Sequence, residues 1–416
     1  MNLNIAQKTD FNFQDYLNIF IGSLILLFPI FIIIGTATVE ISASIIALYG
    51  LSIIIQKKKI RFNFIIFLLF FIYFSCNISS IFSDYQSQSF SRSLFLFRYP
   101  LFFYGVYYFL TKNYKYVIYN LITCIFAVIF VYFDDLIQFI FGQDIFGYQK
   151  KEHRLSGPFD DELIPGIFLF RFGLLSISAL IMIRKIKSNI VINSLLFFLV
   201  FGVVITGEKV SSVLTIVSIS LFLLINYGLK KLAVIFFIIL TMFSTFTVLV
   251  FSSETYKDRI WTETTRTLGI FNENRNFFDS EHGVMFLTAF SIWKDYKYFG
   301  SGLKTFREVC KDDKYSNFES LVITERCSTH PHNFYLEILS ETGIIGFVLF
   351  LTLFMYLVIN IFKNYKKNNN VITLSIFCTI IIMFIPLSFT NSFFTNFNLF
   401  WIVYIISLGF VEIKNA

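Results

Sequence analysis

Charged residues are scarce in this 416-residue chain. They make up 15% of the sequence, whereas soluble globular domains carry about 25%. Hydrophobic residues make up 56% and aromatic residues 20%. Disorder is excluded, because it requires low hydrophobicity and high charge. A water-soluble fold is excluded as well, since no surface could cover so much apolar side chain. A multi-spanning membrane protein remains.

The chain also lacks the alternation of apolar and polar residues that barrel strands show over roughly 10 residues. Its first ten residues show no basic region followed by a small-residue cleavage site, so no cleavable signal is predicted. Its apolar stretches are instead continuous, and about 20 residues suffice for a helix to cross a bilayer. Twelve stretches qualify: 17–36, 38–55, 62–82, 93–110, 115–141, 162–183, 189–206, 210–227, 232–251, 343–361, 371–388 and 397–412. The sequence predicts an all-α polytopic membrane protein with about twelve transmembrane helices.

The distribution of lysine and arginine predicts how the chain is oriented. These residues concentrate in one set of short loops, including 57–61, 184–187 and 363–367. By the positive-inside rule, those loops and both termini face the cytoplasm. The predicted organisation is then spans 1–9 in 1–251, a large periplasmic loop in 252–342 and spans 10–12 in 343–416. The net charge of +7 reflects this topology, so no nucleic-acid partner is expected.

Cysteine and histidine are both rare, and their positions are informative. Of five cysteines, Cys310 and Cys327 fall in the long outward loop. The outward side is oxidising, which favours a disulfide between them. A redox or metal role is less favoured, because the chain has no CxxC pair. The four histidines all fall in the two longer outward loops: His153, His282, His330 and His332.

The segment 329–343, THPHNFYLEILSETG, is the clearest local constellation. Asn333 suits a helix N-cap, and Glu337 and Glu341 would share one face of the following helix. His330 and His332 would then lie just above a helix N-terminus, which suits a general base or an anionic ligand. Solvated loop histidines are an equally simple interpretation. Zinc binding with His282 or Glu341 is a weaker one, because no recognised zinc spacing is present.

Four cations are candidate anion ligands. Lys209 lies in the Gly207–Glu208–Lys209 turn between two spans, although a lysine there could also snorkel to the interface. Arg154 lies in the outward loop 150–162, and a guanidinium binds phosphate bidentately. Arg98 and Arg171 lie inside spans, where an arginine must face protein or a water-filled cavity. Their alternatives are a structural pair or a cavity of a proton-coupled transporter, and the candidate partners are Glu40, Asp134 and Asp135.

Four segments together resemble the O-antigen ligase and polymerase family of bacterial envelope glycosyltransferases. They are 134–166 (with RLSGPFDDELIPG), 207–209 (GEK), 289–306 (ending FGSGLKTF) and 330–346 (HPHNFYLEILSETGIIG). The last segment, directly before a span, is the most specific. The resemblance implies a GT-C-like membrane fold in the bacterial inner membrane, with the active site facing the periplasm. It implies a glycan donor linked to undecaprenyl pyrophosphate, a glycan or lipid A–core acceptor, contact with membrane lipids, and neither cofactor nor metal.

The resemblance also implies an inverting displacement with pyrophosphate as the leaving group. His332 is then the first choice for the general base and His330 the second, with Glu341 orienting the histidine or holding the acceptor. The family usually has arginine at the position of Lys209, and many members have one at the position of His282. The predicted pyrophosphate ligands are Lys209, Arg154, Arg171, Arg98 and His282, with Arg307 or Arg154 replacing the missing arginine.

Two questions stay open at the level of sequence. The first is polymerase against ligase, where the RLSGPF segment leans slightly towards a polymerase. The second is a transporter or flippase of lipid-linked glycans, which would explain Glu40, Arg98 and Arg171 as cavity residues. That alternative leaves unexplained why the long outward loop holds three of the four histidines.

Overall fold

A computed structural model describes residues 13–57, 64–151, 153–228, 232–268, 277–316, 322–386 and 391–413. Within these ranges, regular structure is helical apart from two isolated β-bridges, Gln143 with Gln149 and Lys151 with Arg154. The continuous apolar stretches explain this, because only a helix satisfies every backbone group inside its own segment. The predicted all-helical class is therefore confirmed.

The first ten α-helices form the larger part of the bundle. They are α1 (Phe13–Ile34), α2 (Thr36–Lys57), α3 (Phe64–Ile81), α4 (Gln86–Ser93), α5 (Arg98–Lys112), α6 (Tyr114–Phe141), α7 (Pro165–Arg184), α8 (Asn189–Ile205), α9 (Lys209–Tyr227) and α10 (Leu232–Phe251). The short helices that follow are α11 (Glu254–Tyr256), α12 (Glu263–Leu268), α13 (Glu281–Asp295) and α14 (Phe306–Val309). A π-helical turn, Lys257–Thr262, joins α11 to α12. The last three helices are α15 (Phe334–Asn368), α16 (Val371–Met383) and α17 (Asn396–Phe410).

Each of the twelve predicted apolar stretches coincides with one of these helices. Among the described residues, six helices are long and apolar enough to cross a membrane, namely α1, α2, α6, α7, α9 and α15. Five other helices contain shorter apolar stretches, which are Phe67–Ile81 in α3, Asn189–Ile205 in α8, Ile238–Val248 in α10, Val371–Met383 in α16 and Asn396–Phe410 in α17. Several apolar membrane-type helices are thus present, while a total of about twelve spans stays a prediction.

The main core lies where α17 packs against α5, α2 and α16, around the buried Trp401 and Tyr404. Two glycines allow α2 and α5 to approach closely. A Cβ atom on Gly50 would lie 2.3 Å from the carbonyl oxygen of Leu101, and one on Gly105 would lie 2.5 Å from that of Ile46. Backbone contact at small residues is typical of helix association in membranes.

The segment between α10 and α15 has a core of its own, formed around Ala289, Ile292 and Phe306. It ends where Asn333 caps α15, its side-chain oxygen accepting hydrogen bonds from the backbone N–H groups of Tyr335 and Leu336. The predicted N-cap is confirmed, and α15 runs from Phe334 through the predicted start of the tenth span at 343. A break at Gly343 (φ 67°) marks that later point. The backbone of Tyr298 approaches there so closely that a Cβ atom would lie 2.3 Å from its carbonyl oxygen.

Candidate functional site

The Gly207–Glu208–Lys209 turn forms one wall of the candidate site. Gly207 has φ 75°, and a Cβ atom on it would lie 2.1 Å from the carbonyl oxygen of His153. Glycine is therefore required for the loop before α7 to pack directly on the turn. Glu208 accepts a hydrogen bond from the backbone N–H of Gly166 at 2.9 Å, which ties the turn to the first residues of α7. Lys209 is thereby fixed as the first residue of α9.

A second element holds the loop before α7 in place. The side-chain oxygen of Gln138, near the end of α6, accepts hydrogen bonds from the backbone N–H groups of Ser156 and Gly157 at 3.0 and 2.9 Å. Its amide nitrogen donates to the carbonyl of Tyr148 at 3.1 Å. These contacts fix the stretch of loop that carries Arg154. Arg154 itself lies 4.0 Å from Glu208 and donates to the carbonyl of Leu163.

Three cations converge at this turn: Arg154, Lys209 and Arg259, which we call the cationic cluster. Glu263 bridges two of them, with 2.6 Å from its Oε2 to Lys209 Nζ and 2.6 Å to Arg259 NH1. Burial lowers the pKa of Arg154 and the nearby Arg259 charge lowers it further, although Glu208 opposes the shift. Burial acts to raise the pKa of Glu263, yet Lys209 and Arg259 outweigh it and hold this pKa below its ordinary value.

Arg259 and Glu263 reach the turn because the segment after α10 folds back on the bundle. The hydroxyl of Tyr256 donates to the carbonyl of Ile205 at 2.8 Å, at the last residue of α8. The π-helical turn follows directly and carries Arg259, with Glu263 four residues later on the same face. Such π-turns are frequent at functional sites, because the altered register redirects the side chains that follow.

Three histidines form a second group, which we call the histidine cluster. The ring centroids of His330 and His332 are 4.1 Å apart, and those of His282 and His332 are 5.2 Å apart. The ring of His332 therefore contacts both of the other rings. His330 is buried with its Nδ1 2.9 Å from the hydroxyl of Thr329. His332 has φ 54°, a left-handed conformation uncommon for residues other than glycine and typical of functional turns.

The two clusters are electrostatic neighbours. The pKa of His282 is lowered to about 4, chiefly by burial and to a smaller extent by the charges of His332 and Lys209. Four elements thus bring these residues together. Lys209 begins α9, Arg259 lies in the π-helical turn, His282 lies in α13, and His332 lies two residues before α15. The resulting site joins fixed positive charge to imidazoles, of which His282 is neutral at neutral pH. That combination suits binding of an anion next to a group that accepts a proton.

Two buried carboxylates hold the first turns of α15 against neighbouring segments. Glu341 accepts hydrogen bonds from the backbone N–H groups of Lys304 at 2.7 Å and Phe306 at 3.3 Å. Glu337 accepts from the backbone N–H of Phe393 at 2.6 Å and from the hydroxyl of Ser392, and lies 4.0 Å from Lys304 Nζ. The predicted shared face of Glu337 and Glu341 is found, and it faces protein. Glu341 therefore holds the 301–306 segment against the helix that follows the histidines.

Arg98 and Arg171 are engaged by other partners in the bundle. Arg98 lies 3.9 Å from Glu40 and over the rings of Tyr99 and Phe400. Arg171 is buried, donates a hydrogen bond to Asn398, and stacks 4.2 Å over the ring of Trp401. Both arginines face protein, as required at this depth. Neither contact brings them to the histidines, so their role as pyrophosphate ligands stays a prediction.

A disulfide joins Cys310 to Cys327, with their Cα atoms 5.4 Å apart. It closes the loop that leads into the histidine motif, and Arg326 donates to the carbonyl of Cys310 at 3.2 Å beside it. Arg307, the alternative replacement for the family's arginine, lies on α14 next to this disulfide. Within the described ranges, no three His, Cys, Asp or Glu side chains are grouped so as to hold a metal ion.

Reasoning from sequence missed Arg259, Glu263 and Lys304. Arg259 and Glu263 stand four residues apart, a spacing that places an ion pair on one helix face, and this was the one available signal. Nothing local indicated that the pair would meet Lys209. Lys304 lay inside the FGSGLKTF segment that carried the resemblance, but its burial against Glu337 required the fold.

One comparison with known proteins bears on this site. Residues 194–351 match a family model described as O-antigen ligase. The matched stretch runs from α8 into α15 and contains Lys209, Arg259 and the whole histidine cluster, whereas Arg98, Arg154 and Arg171 precede it. No curated protein matches the chain.

Proposed function

Because the match over residues 194–351 supports assignment to the O-antigen ligase family, we propose that this chain is a membrane glycosyltransferase of surface polysaccharide biosynthesis. Its donor would be a glycan on undecaprenyl pyrophosphate, used at the periplasmic face of the bacterial inner membrane. The observation that carries this proposal is that the matched stretch holds both a set of cations, Lys209 and Arg259 bridged by Glu263, and a set of three histidines whose rings are in contact. A leaving pyrophosphate needs the first cluster, and an attacking hydroxyl needs the second.

The donor half of the reaction rests on the cationic cluster. When the bond between the anomeric carbon and the pyrophosphate oxygen breaks, its electron pair goes to the pyrophosphate, and negative charge develops there. Lys209, Arg154 and Arg259 would stabilise that charge. His282 has a pKa of about 4, so at neutral pH it would contribute an N–H hydrogen bond rather than a charge. Arg259 would take the place of the arginine that the family often has at position 282.

The acceptor half rests on the histidine cluster. The acceptor hydroxyl attacks the anomeric carbon from the face opposite the pyrophosphate, so the configuration inverts. Its proton would pass to His332, which is less buried than His330 and whose ring contacts both other imidazoles. His330, held by Thr329, would position that ring. Glu341 would support the site through the backbone it binds rather than by touching substrate. No step requires a metal ion, because the cationic cluster would stabilise the negative charge that a metal ion could otherwise stabilise.

The experiment is a glycolipid gel of a strain that lacks the gene, complemented with the wild type, Lys209→Ala, Arg259→Ala or His332→Ala. A polymerase deletion leaves core capped with one repeat unit, and a ligase deletion leaves polymer on the lipid carrier. All three variants should fail to rescue. Lys311→Ala is the matched control, since Lys311 is an exposed lysine of the same long segment, paired with Glu308 at 2.7 Å.

If His332→Ala and Lys209→Ala each rescued the deletion fully, this site would be refuted and a transporter of lipid-linked glycans would be favoured. Transfer by the purified protein should also survive a metal chelator, which tests the proposed independence of metal. The choice between ligase and polymerase follows from the phenotype of the deletion itself.

A further inference from the structure

A polar cleft of about 510 Å³ lies at the start of α4, apart from the two clusters. It is shallow and open to solvent, so a ligand would be held along one face. Its lining comes from one short stretch, consisting of Asp84, Tyr85, Gln86, Ser87, Gln88 and Ser91. These side chains supply one carboxylate, one phenol, two amides and two hydroxyls.

The chemistry of this lining selects the class of ligand. Among the described residues that line the cleft there is neither a cation nor an aliphatic side chain, which disfavours a phosphate and a lipid tail. Amides and hydroxyls both donate and accept hydrogen bonds, as sugar hydroxyls do. Tyr85 is 41% exposed and offers an aromatic face with a polar tip. A neutral polyhydroxylated ligand fits this set best.

Hydrogen bonds hold several of the side chains that line the cleft. The amide nitrogen of Gln86 donates to the carbonyl of Ile81 at 2.7 Å, and the hydroxyl of Ser91 donates to the carbonyl of Gln88 at 2.6 Å. Tyr296, from the long segment, donates its hydroxyl to Asp84. Each of these bonds fixes a side chain that lines the cleft, which reduces the entropy lost on binding.

The cleft is also joined to the proposed site through the 301–304 segment. Gln88 donates its amide N–H to the carbonyl of Lys304 at 2.8 Å, and the backbone N–H of Leu303 donates to the buried Ser89 at 2.8 Å. The backbone N–H of the same Lys304 donates to Glu341 on α15, the helix that starts two residues after His332. Hydrogen bonds therefore connect the wall of the cleft to α15, the helix that follows the histidines.

We propose that this cleft binds the neutral glycan of the acceptor, so that α4 is an acceptor subsite. The inference rests on the proposed transferase function, whose donor pyrophosphate would lie at the cationic cluster. The glycan would be held by Gln86, Ser87 and Tyr85, while Gln88 links the cleft to the 301–304 segment.

The test is direct titration calorimetry with the oligosaccharide repeat unit released from the organism's own surface polysaccharide, on the purified full-length protein. Ser87→Trp fills the cleft at an exposed position. A double variant, Tyr85→Ala with Gln86→Ala, removes contacts without adding bulk. Both should weaken binding by about ten-fold or more, the change expected for roughly 1.4 kcal/mol. Arg92→Trp is the matched control, an exposed residue of α4 outside the lining, and should bind as the wild type does.

Equal affinity in the wild type and both cleft variants would overturn the subsite, as would a wild type that does not bind the oligosaccharide. The glycolipid gel keeps this result separate from the proposed function. If the wild type rescues the deletion but the cleft variants bind the oligosaccharide normally, the proposed transferase function stands and only the subsite is refuted. In transfer assays, the proposal requires a raised KM for the acceptor with an unchanged KM for the donor.

Discussion

Glu263 forms ion pairs with two of the three cations that would hold the leaving pyrophosphate, and removing its charge gives a sharp test of the site. Its carboxylate contacts Lys209 and Arg259 at 2.6 Å each, and its pKa lies below the ordinary value, so it is ionised at neutral pH. Any phosphate that binds both cations must approach this carboxylate. Glu263→Gln keeps the shape of the side chain and removes the charge.

The magnitude follows from Coulomb's law. A unit charge about 4 Å away contributes roughly 1 kcal/mol in water and roughly 4 kcal/mol at an effective dielectric constant near 20. The side chain of Glu263 is 40% exposed, which places the repulsion between these limits, at about 1–3 kcal/mol. Glu263→Gln should therefore bind inorganic pyrophosphate about 5- to 150-fold more tightly than the wild type. The gain should shrink as salt is raised, because salt screens partly exposed charges.

Calorimetric titration of the purified protein with inorganic pyrophosphate, at low and high salt, measures this change. Glu254→Gln is the matched control, since Glu254 forms a similar exposed pair with Lys257 at 3.1 Å on the same segment. Unchanged or weaker binding by Glu263→Gln would refute the reasoning. It would show that Glu263 chiefly orders Lys209 and Arg259, or that the anion binds elsewhere.

Three further predictions concern the supports of the site. Glu341→Ala should lower the free energy of unfolding in detergent by about 1–3 kcal/mol for each of the two buried N–H groups that lose their acceptor. Thr352→Ala, a change at an exposed hydrogen bond of the same helix, should leave it unchanged. Equal melting temperatures for the two variants would contradict this role of Glu341. His282 has a folded pKa of about 4, below its ordinary 6.5, so its contribution is fully present above pH 6.5 and lost as pH falls towards 4. Over that pH range, the free energy of unfolding should fall by up to about 3 kcal/mol more in the wild type than in His282→Asn, and solvent screening reduces this difference. Thermal melts measure it, and parallel pH profiles of the two proteins would show that His282 does not carry the effect. Cys327→Ser opens a disulfide with a sequence separation of 17, which should cost about 3 kcal/mol in the chain-entropy view and speed proteolysis of the long segment; a cleavage rate equal to that of the wild type would contradict this.

The local features of this protein could be predicted because their causes are local. Each predicted apolar stretch is a helix, since continuous hydrophobicity is a property of the segment itself. Asn333 caps α15 as predicted, because the cap needs only the side chain and the next two or three backbone N–H groups. The break inside that helix at Gly343 was not predicted, because it depends on the backbone of Tyr298, which lies 45 residues earlier in the chain.

The candidate site was predictable only in part. The histidines and Lys209 were selected from motif and position, but their grouping was not. The alternative that Arg98 forms a structural pair with Glu40 was weighed, and that contact is present at 3.9 Å. For Arg171 the weighed partners were carboxylates, whereas the contacts found are Asn398 and Trp401. Sequence offered no ground for choosing among partners that lie on distant helices.

The sequence by itself determined the helical membrane class, the positions of the long apolar helices and the segment that carries the histidines. Hydropathy and capping act within a few residues, so the chain needs no tertiary contact to express them. Only the tertiary structure decided that Arg259 meets Lys209 through Glu263, that His282 packs on His332, and that Lys304 is buried against Glu337. These partners are separated by tens of residues. They meet because the segment after α10 folds back on the bundle, where packing and buried hydrogen bonds fix their positions.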